Sequence, residues 1–295
     1  MASHVADFPE VILKNGGIEM AIYLPNLDQG SYRATRFDHA GLIHSLRYRG
    51  MEYFGQWLKA EHDPFSHEAV NGPVDSYGVL GYGDSDSFVR VGVGVLAKPA
   101  GESEFCWDHT YKIMDFGTWQ WEQHEDSIHF EQIIDGPDGW AFIYRKAVVL
   151  TQDGFRLQYE LQNTGSREIE MDVYNHNFLA FDSFPMDSQY SLEVPFELKT
   201  ADTDPRIQLQ GGRLQLLTAI YDKALFMRMN GSPQVTDHKI TVSHSSGRAL
   251  QVSMDQPLSR MVVWANDRAI APENFIDIHV PVKETRHWSA EYKVS

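Results

Sequence analysis

At 295 residues the chain has the length of two average domains, although all-β sandwiches and barrels reach this size as one unit. Its 42% hydrophobic and 12% aromatic content supplies a large core and excludes disorder. A formal charge of −16, from 41 acidic against 25 basic residues with no acidic tail, repels phosphate backbones and anionic lipid, so neither nucleic acid nor membrane is expected as a partner.

The segment Met1 to Glu10 has no basic n-region and no apolar h-region, and no window approaches 18 apolar residues. A cytoplasmic location is the expectation. Val11 to Leu24 reads as a hairpin about Asn15-Gly16-Gly17. Arg33, Arg36, Asp38 and His39 then lead into a strand, Leu42 to Tyr48, turned at Arg49-Gly50. Arg36, beside Phe37, is the residue of this group expected to point into a cleft.

Residues 57–87 show little regular periodicity, and a loop of that length tends to be functional. His67 is its candidate ligand contact. His62, His67 and the nearby carboxylates match no zinc or calcium spacing, so no metal is expected. Phe88 to Leu96 reads as one strand, with Val89, Val91, Val93 and Val95 on one face. Gly92 and Gly94 on the other face mark a close approach by another backbone or a ligand. Cys106, the single cysteine, cannot form an internal disulfide and sits between Phe105 and Trp107 as a packed thiol.

From Thr118 to Gln162, alternating runs separated by turns every eight to twelve residues form an antiparallel meander. The next run continues from Ile169 into Asp172-Val173-Tyr174-Asn175-His176-Asn177-Phe178. There one imidazole lies among amides and is followed by an aromatic run too apolar for water. Short strands then recur as far as Phe275–Val280 and Trp288–Val294, with breaks that include Gly231-Ser232-Pro233. No helix-period run exceeds about three turns, and no linker or repeat divides the chain. One all-β domain over residues 1–295, a large antiparallel sandwich, is expected.

A Gly-x-Ser-x-Gly elbow, a phosphate loop and paired CxxC sites are all absent. An all-β chain with seven tryptophans suits carbohydrate, since indoles stack on sugar faces, and Trp107 is taken as one such contact. Asn175-His176-x-Phe178 resembles the histidine motif of the aldose 1-epimerase (galactose mutarotase) superfamily. Ala40-Gly41-Leu42-Ile43-His44-Ser45-Leu46 is similar to that family's early strand. Ala269-Ile270-Ala271-Pro272-Glu273-Asn274-Phe275 is similar to the late strand bearing its glutamate, and Val282-Lys283-Glu284-Thr285 to the turn before its last strand.

The resemblance implies a β-supersandwich and an isomerase that interconverts the α and β anomers of a small sugar without a cofactor. In that family a histidine protonates the ring oxygen while a glutamate removes the anomeric hydroxyl proton. His176 and Glu273 take those positions here. Acid and base contribute about 10²–10⁴-fold each, and Glu273 suits the base role if burial raises its pKa. The family's second histidine segment, Asn-x-Leu-His-Gly, and its Gly-Arg-x-x-Asn-Arg segment are missing; His67 and Arg36 are the substitutes proposed. Proline precedes the glutamate, whereas in many relatives it follows. Two other readings stand beside the epimerase: a non-catalytic carbohydrate-binding protein on the same fold, and action on a sugar phosphate or polysaccharide end. A phosphate would need clustered basic residues at the cleft, for which Arg33, Arg36 and Lys112 are the candidates. Oligomeric state is not encoded in any recognisable pattern.

Overall fold

Period-2 alternation of apolar and polar side chains builds strands wherever one face must be buried. The computed structural model describes residues 8–58, 61–182, 184–229 and 238–295, and its described elements are all strands but for one 3₁₀ turn, Pro137–Gly139. Every strand pairing among the described residues is antiparallel. The chain is all-β, as its sequence predicts.

Ten strands make the largest sheet. Its order runs Ile207–Gln210, Arg213–Leu216, Tyr190–Glu193, Ile240–His244, Ala249–Met254, Thr285–Val294, Gly154–Asn163, Ala141–Leu150, Ser127–Asp135 and Thr118–Gln123. A second sheet of five strands runs Leu225–Met229, Arg260–Ala265, Ile270–Val280, Ile169–Phe178 and Gly72–Tyr77. Buried tyrosines tie the two together. Tyr292 donates a hydrogen bond to Asn177 Oδ1 at 2.7 Å, Tyr159 to Asp75 at 3.0 Å, and Tyr77 to Tyr144 at 2.8 Å. The N-terminal hairpin, Glu10–Asn15 and Ile18–Tyr23, belongs to a four-stranded sheet with Leu42–Tyr48 and Met51–Glu52.

An ionic cluster lies buried between the sheets. Lys146 Nζ sits 2.6 Å from Asp75 and 3.3 Å from Asp38, all three side chains at least 98% buried. Tyr144 donates to Asp38, and Asn175 Nδ2 to Asp75. Burial works against the Lys146 charge, but the two aspartates outweigh it and hold its pKa above the ordinary value. Burial also pushes Asp38 up to about 6, against the pull of Lys146. Such a cluster is costly to bury and costlier to break.

Three expectations change. Phe88 to Leu96 is not one strand but a hairpin, Ser87–Arg90 against Gly94–Ala97. Gly92 and Gly94 adopt φ of +74° and +137°, which reverses the chain. The expected backbone approach is found at Gly94, where a Cβ would lie 2.3 Å from Asp115 O, whereas at Gly92 it is a side chain that comes close, Asp38 Oδ1 at 2.2 Å. The irregular stretch 57–87 contains the strand Gly72–Tyr77, buried at every position and therefore without alternation to read. The late strand begins at Ile270 rather than Phe275, so Glu273 lies inside it. Gly231-Ser232-Pro233 falls outside the described residues.

Candidate active site

Alternation along Ile169–Phe178 divides its side chains between two surroundings. Asn175 and Asn177 turn towards the ten-stranded sheet, where Tyr159 and Tyr292 bond them. Tyr174, His176 and Phe178 occupy the opposite face. The neighbouring strand pairs His176 with Glu273 and Tyr174 with Phe275. On the other flank His176 meets Val74 and Tyr174 meets Ser76. Histidine and glutamate, 97 residues apart in sequence, are thus directly opposed across one pair of strands.

Their side chains touch: His176 Nε2 lies 3.4 Å from Glu273 Oε1. The imidazole is 1% exposed and caged by rings. Phe178 stacks on it at 4.0 Å between centroids and Trp57 at 5.6 Å, while Trp264 and Phe37 present edges. Burial among these rings, assisted by the Arg36 charge, holds the histidine pKa well below its ordinary value. The same burial raises Glu273 from 4.5 to about 7, even with Arg36 and Arg260 pulling it down. An apolar setting for the glutamate is therefore present, although its source is tertiary rather than the flanking alanines.

The pair opens into a cleft of about 510 Å³ on the outer face of the five-stranded sheet. Arg36 lines it, 8% exposed. Its guanidinium carbon stands 4.1 Å above the Trp107 ring, 4.8 Å above Trp57 and 4.9 Å above Phe37. Nη2 donates to the Tyr174 hydroxyl at 3.3 Å, whereas Nε and Nη1 are buried without a partner. Trp107 also lines the cleft and is half exposed. His67 stands behind these rings, edge-on to Trp57 at 5.2 Å and to Trp107 at 5.7 Å. Burial lowers its pKa too, and Arg36 adds to the effect.

All five sequence-predicted site residues thus gather here, four along the cleft and His67 in the layer behind. Arg33 does not join them; its guanidinium packs on Phe65 and bonds Asp28 O. Lys112 is also absent from the lining. Tyr174 and Phe275 also line the cleft; each lies two residues from His176 or Glu273 and so on the same face. Arg90 and Arg260 carried no local signal at all.

A groove larger than the cleft, about 890 Å³, crosses the outer face of the ten-stranded sheet. Within it Arg145 bridges Glu131 and Glu160, and His287 stands 3.6 Å from Glu160. None of the five residues borders it. Metal-type ligands converge among the described residues at Glu168, Glu170 and His279, all exposed.

No family model matches the sequence, and no curated protein matches it either. Solved structures do. A Synechocystis protein aligns over 100% of this chain and 99% of its own at a TM-score of 0.65 and 14% identity. A galactose mutarotase-like protein from Lactobacillus casei covers 97% of this chain and 100% of its own, at 0.58 and 12%. An aldose epimerase homologue from C. elegans covers 98% and 99%, at 0.58 and 9%. Identities this low speak for architecture alone. The chain has the galactose mutarotase-like fold.

Proposed function

We propose that this protein is an aldose 1-epimerase-type isomerase, acting on a reducing sugar held in the cleft between Trp57, Trp107 and the five-stranded sheet. The observation that carries this reading is the 3.4 Å contact of His176 with Glu273 inside an aromatic enclosure. The anomeric hydroxyl and the ring oxygen are bonded to the same carbon. Two groups in contact with one another can therefore each reach one of these oxygens.

Ring opening removes the hydroxyl proton, delivers a proton to the ring oxygen and breaks the bond between that oxygen and the anomeric carbon. Rotation about the adjacent carbon–carbon bond and the reverse transfers close the ring on its other face. The working form of the pair carries one shared proton. Burial disfavours an imidazolium, so in the free site this proton rests on Glu273, whose pKa is about 7. Transfer across the contact yields His176 as acid and Glu273 as base, the roles the sequence resemblance implies. The reverse reaction uses the neutral arrangement.

Polarimetry of freshly dissolved α-glucose and α-galactose, extended to charged sugars, tests this. His176→Ala and Glu273→Gln should each lower the enzymatic rate by about 10²–10⁴-fold. Above pH 7 the shared proton is lost, so kcat/KM should fall about tenfold per pH unit after subtraction of the uncatalysed rate. Binding that survives Glu273→Gln without any acceleration would identify a carbohydrate-binding protein instead.

A further inference from the structure

The cleft is lined by three arginines, Arg36, Arg90 and Arg260, in a chain whose formal charge is −16. Only one of them is in an ion pair with a carboxylate among the described residues. Arg260 Nη2 lies 2.6 Å from Asp172 Oδ2 at the cleft mouth. Arg90 is 3% exposed and spends its donors on neutral oxygens: the backbone carbonyls of Thr35 and Tyr77 and the Ser76 hydroxyl. Arg36 has the Tyr174 hydroxyl and three ring faces, with Nε and Nη1 unpaired. Neither Arg36 nor Arg90 has a carboxylate within ion-pair distance among the described residues, although the chain holds 41 acidic groups.

Buried cations are normally paired, because removing a charge from water without a counter-charge is unfavourable. Aromatic faces offset part of that penalty for Arg36 but accept no hydrogen bond from the edge of its guanidinium. A sugar hydroxyl would satisfy the donors and leave the charge uncompensated. A carboxylate or phosphate does both, through charge-assisted hydrogen bonds suited to the planar guanidinium. The Trp57 ring contacts both parts of the site, with the Arg36 guanidinium carbon 4.8 Å from its centroid and His176 stacked on it at 5.6 Å. An anion on Arg36 is thus held beside the proposed proton relay.

We propose that the substrate is an anionic sugar, its carboxylate or phosphate docked on Arg36 beside the Trp57 and Trp107 rings. This rests on the epimerase reading of His176 and Glu273. Anomer exchange measured by NMR on glucose, galactose, glucuronate, galacturonate and the two hexose 6-phosphates decides it. At least one anionic class should exceed the neutral sugars tenfold or more in kcat/KM. Comparison of uronates with 6-phosphates then shows which anion the site takes. Titration calorimetry with the preferred anion should show binding weakened by about 10–100-fold in Arg36→Met, the worth of a charged hydrogen bond. Neutral sugars turned over as well as the anionic ones would overturn the proposal, and that result needs no variant. Anion binding sensitive to Arg36→Met but without turnover would sustain the docking site while removing the epimerase. Failure of every sugar to bind would remove both.

Discussion

Glu273 shows how one side chain of the candidate site bears on stability. Its pKa is raised in the folded protein, so its favourable contribution is fully present below pH 4.5 and is lost as pH rises through about 7. Glutamine at this position has no charge to desolvate. Glu273→Gln should therefore gain stability over wild type with increasing pH, by roughly 3 kcal/mol above pH 8, since each tenfold change in proton affinity is worth about 1.4 kcal/mol. Urea denaturation at pH 5 and pH 8 reads this directly, and a gap that does not widen would show that Glu273 is solvated. Lys146 poses the opposite case. Its removal in Lys146→Met leaves Asp38 and Asp75 facing each other without a cation, which should cost about 3–5 kcal/mol. Adding Asp38→Asn and Asp75→Asn to that variant should recover much of the loss. No recovery would place the cost in packing rather than charge.

Among elements, the strand Ile169–Phe178 carries the most information per residue. One face anchors it to the opposite sheet through Asn175 and Asn177; the other displays Tyr174 and His176 to the cleft, with Phe178 stacked on His176. A shift of one residue in its pairing would exchange these sets and bury the site against Asp75. The hairpin at Gly92 serves the same frame from the other side. Its left-handed turn presses on Asp38, a member of the ionic cluster that cannot swing away. Gly92→Ala should cost more than about 3 kcal/mol, adding a clash to the left-handed penalty. Gly247, at φ +87° with nothing within 4 Å of where a methyl group would sit, bears the penalty alone, about 1 kcal/mol for Gly247→Ala. Equal thermal shifts for the two variants would refute the tight approach at Gly92.

At the scale of the whole molecule, the last strand is central rather than peripheral. Thr285–Val294 lies between Ala249–Met254 and Gly154–Asn163 and joins the two halves of the ten-stranded sheet. It buries Trp288, Ala290 and Tyr292, and Tyr292 bonds Asn177, the neighbour of His176. Removing residues 285–295 would expose two long sheet edges and open the core, so the truncated chain should not fold. Circular dichroism and size-exclusion chromatography suffice to check this; a soluble, compact truncated chain would contradict it. The fold also answers why two residues 97 positions apart can form one site, since antiparallel pairing sets them side by side.

The sequence by itself determined the fold class and most strand positions, and its resemblance to the epimerase family brought His176 and Glu273 forward together. Alternation is a local property, and the motif residues lie in short contiguous runs. Gly72–Tyr77 escaped notice because a strand buried on both faces has no alternation, and the Gly92 reversal because valines at every second position read as a continuous strand. Only the tertiary structure decided that the histidine would be neutral and the glutamate poised near 7, since the enclosing rings of Trp57, Trp264 and Phe37 come from distant segments. It also decided which arginines face the cleft. A buried charge is defined by what surrounds it, and those neighbours are assembled by sheet pairing rather than by sequence proximity.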